Sequence, residues 1–272
     1  MAELSLEQTA LASSVGSFAA RCLCHPLDTI KSRLQADARS GSLVACGART
    51  LAEEGPRGLY RGFGAAAFVG TPAGMLYFTT YEACKRAVGD AGALGHFGCG
   101  LAAEAVACVV FVPIDVVKER VQVHRDLGGS AQALRDAVAR GGVGALYRGY
   151  GATLLSFGTF SGLYFALYEE CKTALGGGPH PPFHAALGAA LGAGGAASFL
   201  TAPLDLAKLR MQVHRDAGAA PPSFAAAFGA AWRGGGLRGL FRGAGARVAF
   251  FAPSTAVSMA CFETAKAHYG VS

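Results

Sequence analysis

Charged residues fall in clusters along the chain, and the segments between the clusters are long and apolar. Gly62–Tyr81 and Gly149–Tyr168 contain no Asp, Glu, Lys or Arg, and Thr173–Leu204 also runs without a formal charge. A helix crosses the hydrocarbon core of a bilayer in about 20 residues, which is the length scale of these segments. Gly and Pro recur inside them, and both are tolerated better in membrane helices than in soluble ones. Small residues return at helical spacing at Ala12, Gly16 and Ala20, at Gly98 and Ala102, and at Gly188, Gly192 and Ala196. In lipid such faces let backbones pack closely. The pattern predicts six tilted spans near 6–35, 61–88, 94–124, 148–175, 183–214 and 242–268. Leu43, Val44 and Leu51 lie in a polar connection and predict a short amphipathic surface helix there.

The polar clusters repeat. Pro26-Leu-Asp28-Thr-Ile-Lys31-Ser-Arg33-Leu-Gln35 returns as Pro113-Ile-Asp115-Val-Val-Lys118-Glu-Arg120-Val-Gln122, and again as Pro203-Leu-Asp205-Leu-Ala-Lys208-Leu-Arg210-Met-Gln212. Each copy is followed by Leu-Tyr/Phe-Arg-Gly, ending at Gly62, Gly149 and Gly243, and then by Tyr/Phe-Glu-x-x-Lys at Glu82 and Lys85, Glu169 and Lys172, and Glu263 and Lys266. Nine strings in one register mean three copies of one unit, bounded at 6–90, 93–175 and 182–268. The fold class is an all-α membrane protein: six tilted transmembrane helices in three pseudo-threefold repeats, with short surface helices on one side.

Composition narrows the reading further. The chain of 272 residues is 52% hydrophobic and only 15% charged, with 39 glycines. That excludes disorder, which needs the opposite balance, and the glycines lack the period of collagen. A net charge of +6 suits loops facing acidic lipid and not nucleic acid. Met1–Ala10 carries two Glu and no basic residue, so no cleavable leader is expected. The eight cysteines sit mostly in apolar segments, where a thiol is a small hydrophobe. Cys22-x-Cys24-His25 has the wrong spacing for zinc, so no metal site is expected. No nucleophile–base arrangement points to an enzyme. Gly62-Phe-Gly64-Ala-Ala-Ala67 fits a dinucleotide fingerprint by spacing alone, with no strand before it.

Within each Pro string the Asp, Lys and Gln are spaced i, i+3, i+7 and share one helix face. Charges at membrane depth face an interior and are paired. Three Asp and three Lys can therefore close a ring between neighbouring repeats, and the prolines should kink and narrow the bundle beside it. The Glu and Lys of the third string are i, i+3 and supply a second set. Two rings that cannot both be open suggest alternating access, driven by substrate that binds the states unequally. Since the gates admit water when open, each pair is valued at about 1 kcal/mol.

These strings resemble the mitochondrial carrier family, whose signature is Pro-x-Asp/Glu-x-x-Lys/Arg-x-Lys/Arg, a gap, then Asp/Glu-Gly-x4-aromatic-Lys/Arg-Gly. All three first halves match. The second half matches fully only at Glu54-Gly55 and Tyr60-Arg61-Gly62, because the other repeats carry Gly141-Gly142 and Gly235-Gly236 where an acid should precede the glycine. The resemblance implies a monomeric, multi-pass solute carrier of the inner mitochondrial membrane. It implies a matrix gate pairing Asp28 with Lys118, Asp115 with Lys208 and Asp205 with Lys31, braced by Gln35, Gln122 and Gln212. It implies a cytoplasmic gate pairing Glu82 with Lys172, Glu169 with Lys266 and Glu263 with Lys85. It also implies structural cardiolipin near Gly62, Gly149 and Gly243, where helix N-termini suit phosphate.

The family's solute-contact positions correspond to Val69, Gly70, Ser156, Phe157, Phe250 and Phe251, none of them charged. The ionisable residues within the spans are Arg21, Glu104 and Arg247, and intramembrane ionisable residues are functional candidates. Arg21 and Glu104 join the candidate solute site, whereas Arg247 is read as fixing the sixth span. Two branches are similar in detail. S-adenosylmethionine carriers share Pro26-Leu-Asp-Thr-Ile-Lys31 and the acid nine residues before Pro113. Mitoferrins share Ala246-Arg-Val248 and Pro253-Ser-Thr-Ala256. The solute expected is a small metabolite such as a zwitterionic or adenosyl compound. The alternative from another class is a non-transporting membrane adaptor that keeps the fold.

Overall fold

The structure is a computed structural model that describes residues 6–37, 41–89, 92–175, 182–215 and 220–268, with the side chains of 6–17, 68–72, 74, 78, 92–94, 96–97 and 258–268 outside the described set. Among the described residues it is helical throughout, without strands. The helices are α1 (Leu6–Ala36), α2 (Leu43–Leu59), α3 (Phe63–Val88), α4 (Gly92–Val123), α5 (Ser130–Gly141), α6 (Tyr150–Ala174), α7 (Phe183–Leu200), α8 (Ala202–Val213), α9 (Phe224–Arg233), α10 (Gly236–Leu240) and α11 (Ala244–His268). A 3₁₀ turn covers Val143–Tyr147. By length and apolarity, Gly98–Val123 and Phe183–Leu200 each suffice to cross a membrane.

The chain forms two compact units, and each draws on all three repeats. One holds residues 1–60, 159–202 and 241–272; the other holds 61–158 and 203–240. In the first, α11 packs against both α1 and α7, and α2 lies on α1. In the second, α3 packs along α4. Small side chains line part of this packing, as is common between helices in lipid. On α7 the buried stripe is Ala185, Ala189, Ala193 and Ala197. The stripe singled out from the sequence, Gly188, Gly192 and Ala196, stays exposed. A Cβ at Gly188 would lie 3.3 Å from Leu175, and one at Gly192 3.6 Å from the sulfur of Cys171. Gly98 and Ala102 are likewise exposed, while Cys99, Ala103 and Ala107 turn inward. In an Ala- and Gly-rich helix several small stripes share the same period, so spacing alone does not select the packed one.

The prolines act differently in the three repeats. A helical proline frees the carbonyl four residues earlier, and in lipid that carbonyl needs another donor. For Pro26 it is Cys22, whose oxygen accepts the Tyr60 hydroxyl at 3.3 Å. For Pro113 it is Val109, whose oxygen accepts the Tyr147 hydroxyl at 3.2 Å. Both helices continue past their proline as single elements. In the third repeat the aromatic is Phe241, which has no hydroxyl and stacks on Phe199 with ring centroids 4.8 Å apart. There the helix breaks at Thr201, between α7 and α8. Of the three signature prolines, only Pro203 stands beside an interruption of its helix. The Phe199 carbonyl accepts from the Thr201 N–H there; Phe241→Tyr should offer it a side-chain donor as well and stabilise the protein by about 1 kcal/mol, read as a raised melting temperature in detergent.

The predicted surface helix is α2, started by Ser42, whose side chain accepts the Ala45 N–H at 3.2 Å. Gly55, with φ +67°, bends it. Its inward face is Cys46, Thr50 and Gly58, while Val44 and Leu51 point outward. Equivalent helices α5 and α9 follow in the other repeats.

Candidate transport gate and solute site

The Pro strings place their charges on α1, α4 and α8. In the second unit Lys208 Nζ lies 2.7 Å from Asp115 Oδ2. Gln212 Nε2 donates to the same oxygen at 3.2 Å. Lys118 Nζ stands 3.8 Å from Asp115 Oδ1 and 3.2 Å from Glu119 Oε1. Lys208 is 6% exposed and Asp115 4%. The valuation of about 1 kcal/mol per pair does not apply to this closed arrangement, because removing one partner of a buried pair costs about 3–5 kcal/mol. Phe111 and Phe157 cover the Lys208 ammonium, at 5.9 and 5.2 Å from their ring centroids, and meet edge to face at 5.3 Å. Phe157, one of the expected solute contacts, therefore covers Lys208, one of the expected gate residues.

Asp28 and Asp205 are buried, and Lys31 is half-buried. Gln35, Gln122 and Gln212 are fully buried. Each lies against the glycine of a Tyr/Phe-Arg-Gly string from the preceding repeat in the cycle. A Cβ on Gly62 would meet Gln122 Cγ at 3.4 Å and the Lys118 carbonyl at 3.0 Å. One on Gly149 would meet Gln212 Cγ at 3.3 Å, and one on Gly243 would meet Gln35 Cγ at 2.7 Å. All three glycines hold φ near +77°, a region that side chains disfavour. Their identity thus follows from backbone and close approach, with no lipid required.

At the other end, Glu82 and Lys85 are exposed. Lys172 Nζ contacts Glu169 Oε2 of its own helix at 2.6 Å and lies 5.8 Å from the Tyr168 ring centroid. Glu263 and Lys266 fall on α11, but their side chains lie outside the described residues, as do those of Val69 and Gly70.

Of the solute candidates, Glu104 is half-buried on α4, and its Oε1 accepts from Cys108 Sγ at 3.5 Å. Tyr150 donates its hydroxyl to the adjacent Ala105 carbonyl. Ser156 is fully buried, and its Oγ has no hydrogen-bond partner among the described residues. Arg21 and Phe250 are half-buried. Phe251 packs against Phe160 and Tyr164, at 5.7 and 6.1 Å between centroids. The Arg247 guanidinium lies 5.7 Å from the Phe160 ring centroid.

Sequence reading missed the arginines that follow the gate. Arg33 forms a two-pronged pair with Glu54 and also donates to Thr50 at 3.0 Å. In the second repeat Gly141 replaces that acid, and a Cβ there would meet Arg148 Nη2 at 2.8 Å. Arg120 turns instead to the end of α8, donating to the Gln212 and His214 carbonyls at 3.0 and 3.2 Å. Arg61 similarly serves the end of α4, reaching the Val121, His124, Arg125 and Leu127 carbonyls. A helix leaves its last four carbonyls without internal partners, and cations suit that end of the dipole. The signal was available as the departures from the signature at Gly141 and Gly235.

The family profile described as Mitochondrial carrier protein matches residues 2–92, 89–178 and 179–272. The chain is 30% identical to mitochondrial substrate carrier family protein E of Dictyostelium discoideum, covering 94% of each. It is 33% identical to the mitochondrial S-adenosylmethionine carrier protein of Danio rerio over 88% of each, and 33% identical to that of Xenopus laevis over 86% of each. Three consecutive profile matches and relatives spanning nearly the full length lead to one conclusion: this chain belongs to the mitochondrial carrier family, multi-pass solute transporters of the inner mitochondrial membrane.

Proposed function

We propose that the protein carries a small adenosyl or zwitterionic metabolite, of the S-adenosylmethionine type, by alternating access between two charged gates. The observation that carries the gating is the buried Asp115–Lys208 pair braced by Gln212. An ion pair across two repeats in a low-dielectric interior is stable when closed, and bound substrate must offset its opening. Asp28, Lys31, Lys118 and Asp205 complete the ring in this reading. Glu82, Lys85, Glu169, Lys172, Glu263 and Lys266 form the second gate.

The substrate class rests on two supports. Two relatives are named as S-adenosylmethionine carriers, and Glu104 offers a half-buried carboxylate one helical stretch from the gate. A carboxylate in a half-apolar setting favours a cationic group, and Phe157, Phe250 and Phe251 suit a planar base. Arg21 would take a substrate carboxylate, and Ser156 a further polar contact. We also propose cardiolipin phosphates at the first turns of α3, α6 and α11, where exposed amides favour anions. The protein would work as a monomer.

Uptake of labelled S-adenosylmethionine into liposomes holding the purified protein tests the substrate. Glu104→Gln is nearly isosteric and should reduce that uptake about tenfold or more, through loss of a charge-assisted contact of about 1.5–3 kcal/mol. Unchanged uptake in Glu104→Gln would remove Glu104 from the site. No uptake by the unaltered protein would remove this substrate class.

A further inference from the structure

A short string outside the carrier signature occurs in two of the three repeats: Val123-His124-Arg125-Asp126 and Val213-His214-Arg215-Asp216. It follows the gate helices α4 and α8 directly. The structure joins the two copies. Arg215 Nη1 contacts both carboxylate oxygens of Asp126, at 2.9 and 2.8 Å. Its Nε and Nη2 contact Asp136 of α5 at 3.0 and 3.1 Å. Asp136 also accepts from Arg140 Nε at 2.7 Å. One guanidinium from the third repeat is therefore held between two carboxylates of the second.

The backbone beside it is held from the same side. Four consecutive carbonyls at the end of α8 each meet a side chain of the second repeat. Arg120 takes Gln212, and His124 Nε2 lies 2.7 Å from the Val213 oxygen. Arg120 and Arg148 share His214, and Arg140 reaches Arg215 at 3.4 Å. These are the carbonyls that a helix end cannot satisfy internally. Asp126 stands in the connection after α4 and Asp136 on α5, both beyond the spans. The hydrogen bonds from Arg215 hold the Asp126 carboxyl below its ordinary range. At Asp136 partial burial works the other way, and the bonds from Arg215 and Arg140 prevail to lower it. Arg215 is itself pushed up by both acids against its own desolvation.

The gate pair Asp115–Lys208 spans the same two repeats, on the same two helices. It cannot part widely while the ends of those helices stay fastened. We infer that Arg215, with Asp126 and Asp136, is a clasp that closes the second repeat against the third below the gate and sets how readily this face of the carrier opens. The clasp lies outside the solute path, so its residues are positioning groups that act through the gate. The inference rests on the alternating-access reading above.

The test uses the full chain in liposomes, retaining Cys108 as its sole cysteine. Cys108 is buried on α4, seven residues before Asp115. A membrane-impermeant thiol reagent is added from the face bearing the Val-His-Arg-Asp strings. Arg215→Gln should speed Cys108 labelling about three- to fivefold, the scale of a pairing that is open to water at Asp126 and largely covered at Asp136. Asp126→Asn with Asp136→Asn should do the same, and Arg215→Glu combined with Asp126→Lys and Asp136→Lys should return labelling towards the unaltered rate. A purely structural role would lower the melting temperature of Arg215→Gln without changing labelling, and that result would overturn the clasp. Failure of the reversed charges to slow labelling again would also overturn it. Uptake of S-adenosylmethionine by the unaltered protein, measured in the same vesicles, reports separately on transport. If it is present while Arg215→Gln labels normally, the clasp alone is wrong.

Discussion

Lys208→Ala abolishes uptake in reconstituted liposomes: the expected loss is about a hundredfold. The substitution removes the ammonium 2.7 Å from Asp115 Oδ2 and leaves a carboxylate that is 4% exposed. Truncating one partner of a buried pair costs about 3–5 kcal/mol. The lower end applies here, because Lys118 stands 3.8 Å from the other oxygen of Asp115 and Gln212 still donates to it. About 3 kcal/mol is roughly a hundredfold change in the balance between closed and open states, since every 1.4 kcal/mol is tenfold. A carrier with one gate state depopulated that far cannot cycle. The loss should appear as a fall in maximal rate with the protein still inserted in the membrane. Lost insertion, or a raised substrate KM with the rate intact, would assign Lys208 another role.

Gly194→Ala should destabilise the first unit by about 1–3 kcal/mol, the range for adding a methyl to a filled core. A Cβ at Gly194 would sit 1.7 Å from Phe251 Cε1 and 2.2 Å from Cζ. The ring is also packed against Phe160 and Tyr164, which restricts its retreat. The effect should be a clear drop in melting temperature in detergent. Gly195→Ala is the control: its Cβ would meet Val248 Cγ1 at 3.8 Å, an ordinary contact. Equal effects from the two substitutions would mean that α7 and α11 are not held by this contact. Phe251 was expected from the sequence as a solute contact, and the structure adds that it is also a packing residue.

Much of the fold was legible because the repeats constrain one another. Three Pro strings in one register fixed the six spans to within a few residues, and α1, α3, α4, α6 and α11 follow them closely. The split of the fifth span was not legible. There Phe241 has no hydroxyl to offer and the Phe199 carbonyl accepts from the Thr201 N–H, a difference set between residues far apart in the chain. The buried stripe of α7 was misplaced for a different reason: Ala and Gly occupy several faces, so periodicity does not choose among them. At the site, the face shared by Asp115, Lys118 and Gln122 followed from spacing. Its burial did not, since spacing says nothing about the Phe111 and Phe157 rings above Lys208. The loss of Arg120's acid was marked by Gly141, but its new acceptors at the end of α8 were not, because they are backbone carbonyls, which leave no mark in the sequence.

The central claim is that Asp115 and Lys208 form a gate and are not merely a structural staple. The most direct measurement is uptake by Asp115→Lys, by Lys208→Asp and by the two combined, in liposomes with insertion checked for each. The account predicts that each single reversal is inactive and that the combined reversal regains a substantial part of the uptake, because the pair is restored with its sense exchanged. A combined variant that inserts and folds yet stays as inactive as the single ones would contradict it.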